Sequence, residues 1–138
     1  MVRTRRDARE RALSLCYELD VRGNSLDDLL FELPVAPAPY AVELARGVED
    51  HRDEIDAVIT KFADRWSIDR MPVIDRNLLR IAVFELGWRP GIPLGVAISE
   101  AVDLAKRYST DDSGRFVNGM LGRIGEHLRT EGEGEGGA

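Results

Sequence analysis

Five arginines fall within the first eleven residues, Arg3, Arg5, Arg6, Arg9 and Arg11, and the chemistry they offer is phosphate recognition. A guanidinium is planar and permanently charged, so it pairs with phosphate oxygens and stacks on unpaired bases. With only Asp7 and Glu10 against them, residues 1–11 carry +3, while the rest of the chain carries −9 and the whole −6. A basic arm on an acidic body attracts a polyanion at one place only. A plainer reading is a solvated helix whose arginines pair with Asp7 and Glu10. The chain uses arginine over lysine throughout, 17 to 2, so the clustering is the evidence and the residue type is not.

Other chemistry is poorly served. Cys16 is the only cysteine and forms no internal disulfide; His51 and His127 stand far from it and from each other, so neither a structural zinc nor another metal site is expected. Cys16 falls on the apolar face of its helix and the histidines read as surface residues, which leaves no nucleophile and base to bring together. Asp53, Glu54 and Asp56 fall on a solvated helix side, and Asp111 with Asp112 precedes another helix, where carboxylates serve as caps. No phosphate-binding glycine loop is present. We expect no enzyme activity and no cofactor. With no apolar run of membrane-spanning length and no signal peptide, a cytoplasmic location is expected.

The elements that must position the arginines are helices. Apolar residues recur at three- and four-residue spacing and no stretch alternates long enough for a good strand, which predicts an all-α fold of about seven helices in one compact domain over 1–129. Thr4 caps a first helix running to about Val21, with Ala8, Ala12, Leu15, Cys16 and Leu19 on one face, the arginines on the other, and Gly23 at its end. Ser25 opens a short second helix, after which Pro34, Pro37 and Pro39 hold the chain extended. A third helix from near Tyr40 and a fourth carrying Ile55, Val58, Ile59, Phe62 and Trp66 present core stripes. Pro72 fits the first turn of a fifth, the most apolar and therefore central one, with Ile74, Leu78, Ile81, Ala82 and Leu86 inward. The sixth carries Ala97, Ala101 and Ala105, the seventh Phe116, Val117, Met120, Leu121 and Ile124. Residues 130–138 are almost entirely Gly and Glu and read as a disordered tail.

Three blocks carry a resemblance: ARERALSLCYELD at 8–20, IDRNLLRIAVFEL at 74–86, and the stretch 92–124 in which VAISEAVDLAK is followed closely by SGRFVNGML. Together, in this order and spacing, they resemble the NusB family. The resemblance implies seven helices arranged as two small three-helix bundles, and a role in transcription antitermination without catalysis. It implies binding to boxA, a short single-stranded element of nascent ribosomal RNA leaders, together with NusE, a protein of the small ribosomal subunit. NusA, NusG and RNA polymerase complete the implied assembly.

On that footing Arg3, Arg5, Arg6 and Arg9 are the expected RNA contacts, and Arg80, on the polar side of the fifth helix, reaches RNA or solvent. Positive charge at a helix N-terminus opposes the helix dipole, a conflict that a bound anion resolves. Asp112 and Phe116 match positions near the RNA and partner surface, with helix cap and core as their plain readings. Tyr17 and Asp75 match positions facing NusE, although the family usually has Glu at the latter; a core-edge aromatic and a first-turn carboxylate are the plain readings. One alternative is a helical protein-interaction or homodimerisation module without RNA. Another is the helical region of a ribosomal RNA methyltransferase, against which the sequence offers no methyl-donor site.

Overall fold

The structure, a computed structural model, describes residues 4–64 and 66–136, with side chains as far as residue 130. Among these residues the chain forms seven α-helices and no strand: α1 (Arg5–Arg22), α2 (Leu26–Glu32), α3 (Pro39–Asp50), α4 (Arg52–Phe62), α5 (Val73–Trp88), α6 (Leu94–Tyr108) and α7 (Asp111–Gly136). A single 3-10 turn, Ile68–Arg70, links α4 to α5.

Local chemistry sets the ends. Thr4 and Asp7 form a capping box on α1: the Thr4 hydroxyl accepts from the Asp7 N–H at 3.1 Å and the Asp7 carboxylate accepts from the Thr4 N–H at 3.2 Å. Gly23 closes α1 at φ 75°, a left-handed conformation that glycine adopts without steric cost. Ser25 caps α2, Pro39 opens α3, and Pro72 and Pro93 stand in extended backbone immediately before α5 and α6. At the start of α7 the cap is Thr110, whose hydroxyl accepts from the Ser113 N–H at 2.9 Å, and Asp112 lies within the first turn.

The central element is α5, which packs against α1, α3, α4, α6 and α7 and is buried without a break over residues 77–86. Leu78, Leu79 and Val83 meet a core that includes Ala12, Leu44, Ile55, Ile59, Val117 and Leu121. Small residues Ala97, Ala101 and Ala105 line the buried side of α6. From α7, Arg129 donates to the carbonyls of Leu86 at 2.8 Å and Ile92 at 2.7 Å, satisfying the end of α5 and its loop.

Several details depart from the sequence reading. The backbone of α7 stays helical to Gly136, where a disordered tail from residue 130 was expected; extending an anchored helix avoids the cost of nucleating one. Trp66 lies beyond α4 and stays 40% exposed, its ring edge-on to Phe116 at 4.8 Å. His51 and His127 are half-buried against rings rather than free on the surface: His51 stacks on Trp88 at 4.5 Å, and His127 is tilted on Phe62 at 5.4 Å. No helix among the described residues is long and apolar enough to cross a membrane.

Gly47 of α3 lies directly under the ring of Phe84, and a Cβ there would collide with it. Alanine improves helix propensity by about 1 kcal/mol, yet forced overpacking costs about 1–3 kcal/mol. Gly47→Ala should therefore lower the thermal midpoint; an unchanged or raised midpoint would show that the ring moves aside freely.

Candidate nucleic-acid interface

The arm arginines divide according to where α1 turns them. Arg9 precedes Ala12, Leu13 and Cys16 at helical spacing, so it lies on the buried stripe and is only 4% exposed. Its Nε donates to Glu85 Oε1 at 2.9 Å and its Nη2 to Glu85 Oε2 at 2.9 Å, a two-pronged ion pair inside the fold. The Tyr40 hydroxyl donates to the same carboxylate at 2.5 Å. Burial, then the bond to Glu85 and its charge, push that hydroxyl up to about 12, so it stays a donor. This corrects the expectation for Arg9, whose charge is taken by Glu85. The spacing 9, 12, 13, 16 held the signal.

Arg80 is a second correction. It is 3% exposed, with Nε and Nη2 on Asp56 at 2.9 and 3.1 Å and Nη1 on Asp20 at 3.1 Å. Being off the apolar stripe put it on a polar side, but α5 is encased and that side meets α1 and α4 instead of water. Arg76 also binds Asp20, at 2.7 and 2.8 Å, and Asn77 donates to Asp20 at 2.9 Å. Burial would raise the Asp20 carboxyl; the bonds from Arg76 and Asn77 and the charges of Arg76 and Arg80 outweigh it and hold the group at about 2. Cys16 lies buried beside this network, and burial pushes its thiol up to about 12.

The outward arginines gather at the N-terminal end of α1; Arg3 lies outside the described residues. Arg5 makes no ion pair among the described residues, and its guanidinium carbon sits 4.4 Å from the centre of the Tyr40 ring. Arg89, from the α5 end, approaches the same ring at 5.8 Å and pairs with Glu43 at 2.6 Å. Between Arg5 and Arg89 opens a cleft of about 240 Å³ lined also by Trp88 and Pro90. Tyr40 and Arg89 were absent from the sequence-level candidates because only folding brings α3 and the α5 end to the arm. Arg6 turns the other way, onto Glu100 at 2.9 Å and Asp103 at 3.0 Å of α6. Those carboxylates, Glu100 first, add to the charge of Asp7 in supplying the negative charge that arginines at a helix N-terminus call for.

Farther along α1, Tyr17 is 42% exposed and borders a groove of about 460 Å³ with Leu13, Ile74 and Tyr108, edged by Glu10 and Glu18. Asp75 does not reach this surface. It is 2% exposed, with one oxygen accepting from the Ser113 hydroxyl at 2.8 Å and the other without a partner among the described residues. The start of α5 faces α7, which turns the carboxylate inward onto Ser113. Asp112 is exposed and paired with Arg115, and Phe116 is half-buried against Trp66. Among the described residues these contacts lie away from the arm. No group of three or more His, Cys, Asp or Glu side chains among the described residues is arranged to hold a metal.

The profile of the NusB family matches residues 6–126. The chain belongs to the NusB family. A transcription antitermination protein NusB from Salinispora tropica is 49% identical over 130 residues, 89% of this chain and 96% of that one. Its counterpart from Thermobifida fusca is 45% identical over 127 residues, 89% of each. Among solved structures, T. maritima NusB superimposes with a TM-score of 0.82 at 36% identity, covering 91% of this chain and 93% of its own. A chain from a crystal structure of the antitermination factors NusB and NusE in complex with dsRNA gives 0.78 at 33% identity, covering 92% and 99%.

This division of the arginines makes two predictions for the NusB fold. Arg9→Ala strands Glu85 in the interior and should cost about 3–5 kcal/mol in urea unfolding, whereas Arg5→Ala should stay within about 0.5 kcal/mol. Equal effects would overturn the division. Because the Asp20 carboxyl is depressed in the folded state, its contribution is present above about pH 4 and lost as pH falls toward 2. Stability measured across that interval should fall more steeply in the native protein than in Asp20→Asn, and parallel curves would refute the role given to Asp20.

Proposed function

We propose that this chain, a transcription antitermination factor by its family, acts in the cytoplasm by holding single-stranded boxA RNA of nascent ribosomal transcripts at the N-terminal end of α1 while NusE docks on the Tyr17 groove. The observation that carries this reading is the platform formed by Arg5 and Arg89 around the Tyr40 ring, beside Trp88. Guanidinium planes next to an aromatic ring can stack a splayed base and bond its phosphate in one place. Arg6, exposed on the α6 side of the same helix end and paired there with Glu100 and Asp103, adds to the positive charge. A NusB chain crystallised with NusE and dsRNA supports RNA and NusE as the two ligand classes, and the strand state is what the test below separates.

The acidic body explains why a partner is needed. A chain of net charge −6 with one small basic end holds RNA weakly by itself, and a basic partner supplies the missing positive surface. The groove suits such a partner, with Leu13, Tyr17 and Ile74 for apolar contact and Glu10 and Glu18 at the edge for its cations. The same acidic edge disfavours a second copy of this chain, which makes homodimerisation the weaker reading of the groove. NusA, NusG and RNA polymerase complete the proposed assembly.

The test titrates labelled single-stranded boxA RNA, and a duplex of the same sequence, with the protein alone and with NusE at two salt concentrations. The affinity should fall steeply with salt, rise with NusE, and favour the single strand. Arg5→Ala/Arg89→Ala should weaken it about tenfold or more and reduce the salt slope by about 0.7 for each arginine. NusE binding without any RNA retention would leave a helical protein-interaction module in its place.

A further inference from the structure

One side chain of the partner groove, Glu10, is ion-paired to a residue of a second, basic cleft. Arg6, Glu10, Leu13 and Tyr17 follow one another at spacings of four, three and four, a single stripe along α1. At the basic end of the stripe a cleft of about 410 Å³ is lined by Arg6, Lys106 and Arg107 together with Glu100 and Asp103. At the other end is the Tyr17 groove. Glu10 stands between them: one carboxylate oxygen pairs with Arg107 Nη1 at 3.2 Å and the other accepts from the Tyr108 hydroxyl, a residue that lines the groove. Arg107 is therefore held by a carboxylate at the edge of the partner surface.

Resting on the RNA and NusE reading above, we propose that Glu10 couples the two surfaces: a cation of the docked partner takes the Glu10 carboxylate and so frees Arg107 for an RNA phosphate. The side-chain environment suits an exchange. Arg107 is 61% exposed and Glu10 35%, so neither is locked in the interior and the pair is a weak one that a competing cation can replace. Arg6 does not serve this way. Its carboxylates, Glu100 and Asp103, line the basic cleft alone, and Glu100 is held in place by Arg9 at 3.7 Å. The coupling is reciprocal, so bound RNA that draws Arg107 away equally releases Glu10 to the partner.

The experiment measures affinity for boxA RNA with and without saturating NusE, and takes the ratio as the enhancement. Glu10→Gln should raise the affinity of the protein alone by about two- to fivefold, leave that of the NusE complex unchanged, and so reduce the enhancement by the same factor. Arg107→Ala should reduce the enhancement from the other side, by lowering affinity mainly in the complex. Glu18→Gln removes a groove carboxylate that pairs with Arg22 at 3.3 Å instead of Arg107, and should leave the enhancement at saturation intact. A native enhancement that Glu10→Gln leaves unchanged, or that Glu18→Gln lowers equally, overturns the coupling and leaves the RNA reading standing. No RNA binding with or without NusE removes that reading and the coupling with it.

Discussion

The structure depends on the middle of α5, residues 77–86, having no wet side. Charges on such an enclosed stretch call for partners, because an unpaired ion away from water is strongly unfavourable. Asp75, before that stretch, has only the Ser113 hydroxyl among the described residues. Glu85 finds Arg9, and Arg76 with Arg80 finds Asp20. Arg9 and Asp20 are separated by three turns of α1, about 16 Å, and fall on the same face. Two ion-pair sites that far apart fix both the rotation and the axial position of α1 on α5. The outward face of α1 follows from that, with Arg5 and Arg6 at one end and Tyr17 toward the other.

The acidic charge of the chain is deployed rather than diffuse. Carboxylates hold most of the exposed arginines near the arm: Glu100 and Asp103 on Arg6, Glu10 on Arg107, Glu43 on Arg89. Arg5 has no carboxylate among the described residues and lies over the Tyr40 ring. A surface zipped in this way presents little net field to a passing polyanion, in keeping with the proposal that the chain alone holds RNA weakly. Exposed pairs of this kind exchange readily, so the same residues that quiet the surface leave it able to respond when a competing charge arrives.

Much of the fold was legible because helices announce themselves locally. Thr4, Gly23 and Ser25 mark ends through their own backbone and side-chain chemistry, and the stripes of α3, α4 and α6 follow from periodicity. The arginines were harder. A charged residue reads as surface by type, and that prior misplaced Arg9 and Arg80, although the spacing of Arg9 with Ala12, Leu13 and Cys16 already set it among core positions. For Arg80 no local signal existed, since whether the polar side of α5 meets water depends on α1 and α4. The same holds for Asp75, turned inward by α7, and for Tyr40, Arg89 and Glu10, which gain their roles from neighbours distant in the chain.

The amino-acid order alone determined an all-helical chain, the approximate helix ends, the basic arm and the family resemblance, because each rests on residues close in sequence or on a pattern matched along it. Which arginines face water, which carboxylates hold them, and which aromatic ring they share were decided only by tertiary structure. Pairing energy and burial depend on distance and solvent access in three dimensions, and neither is a property of one segment.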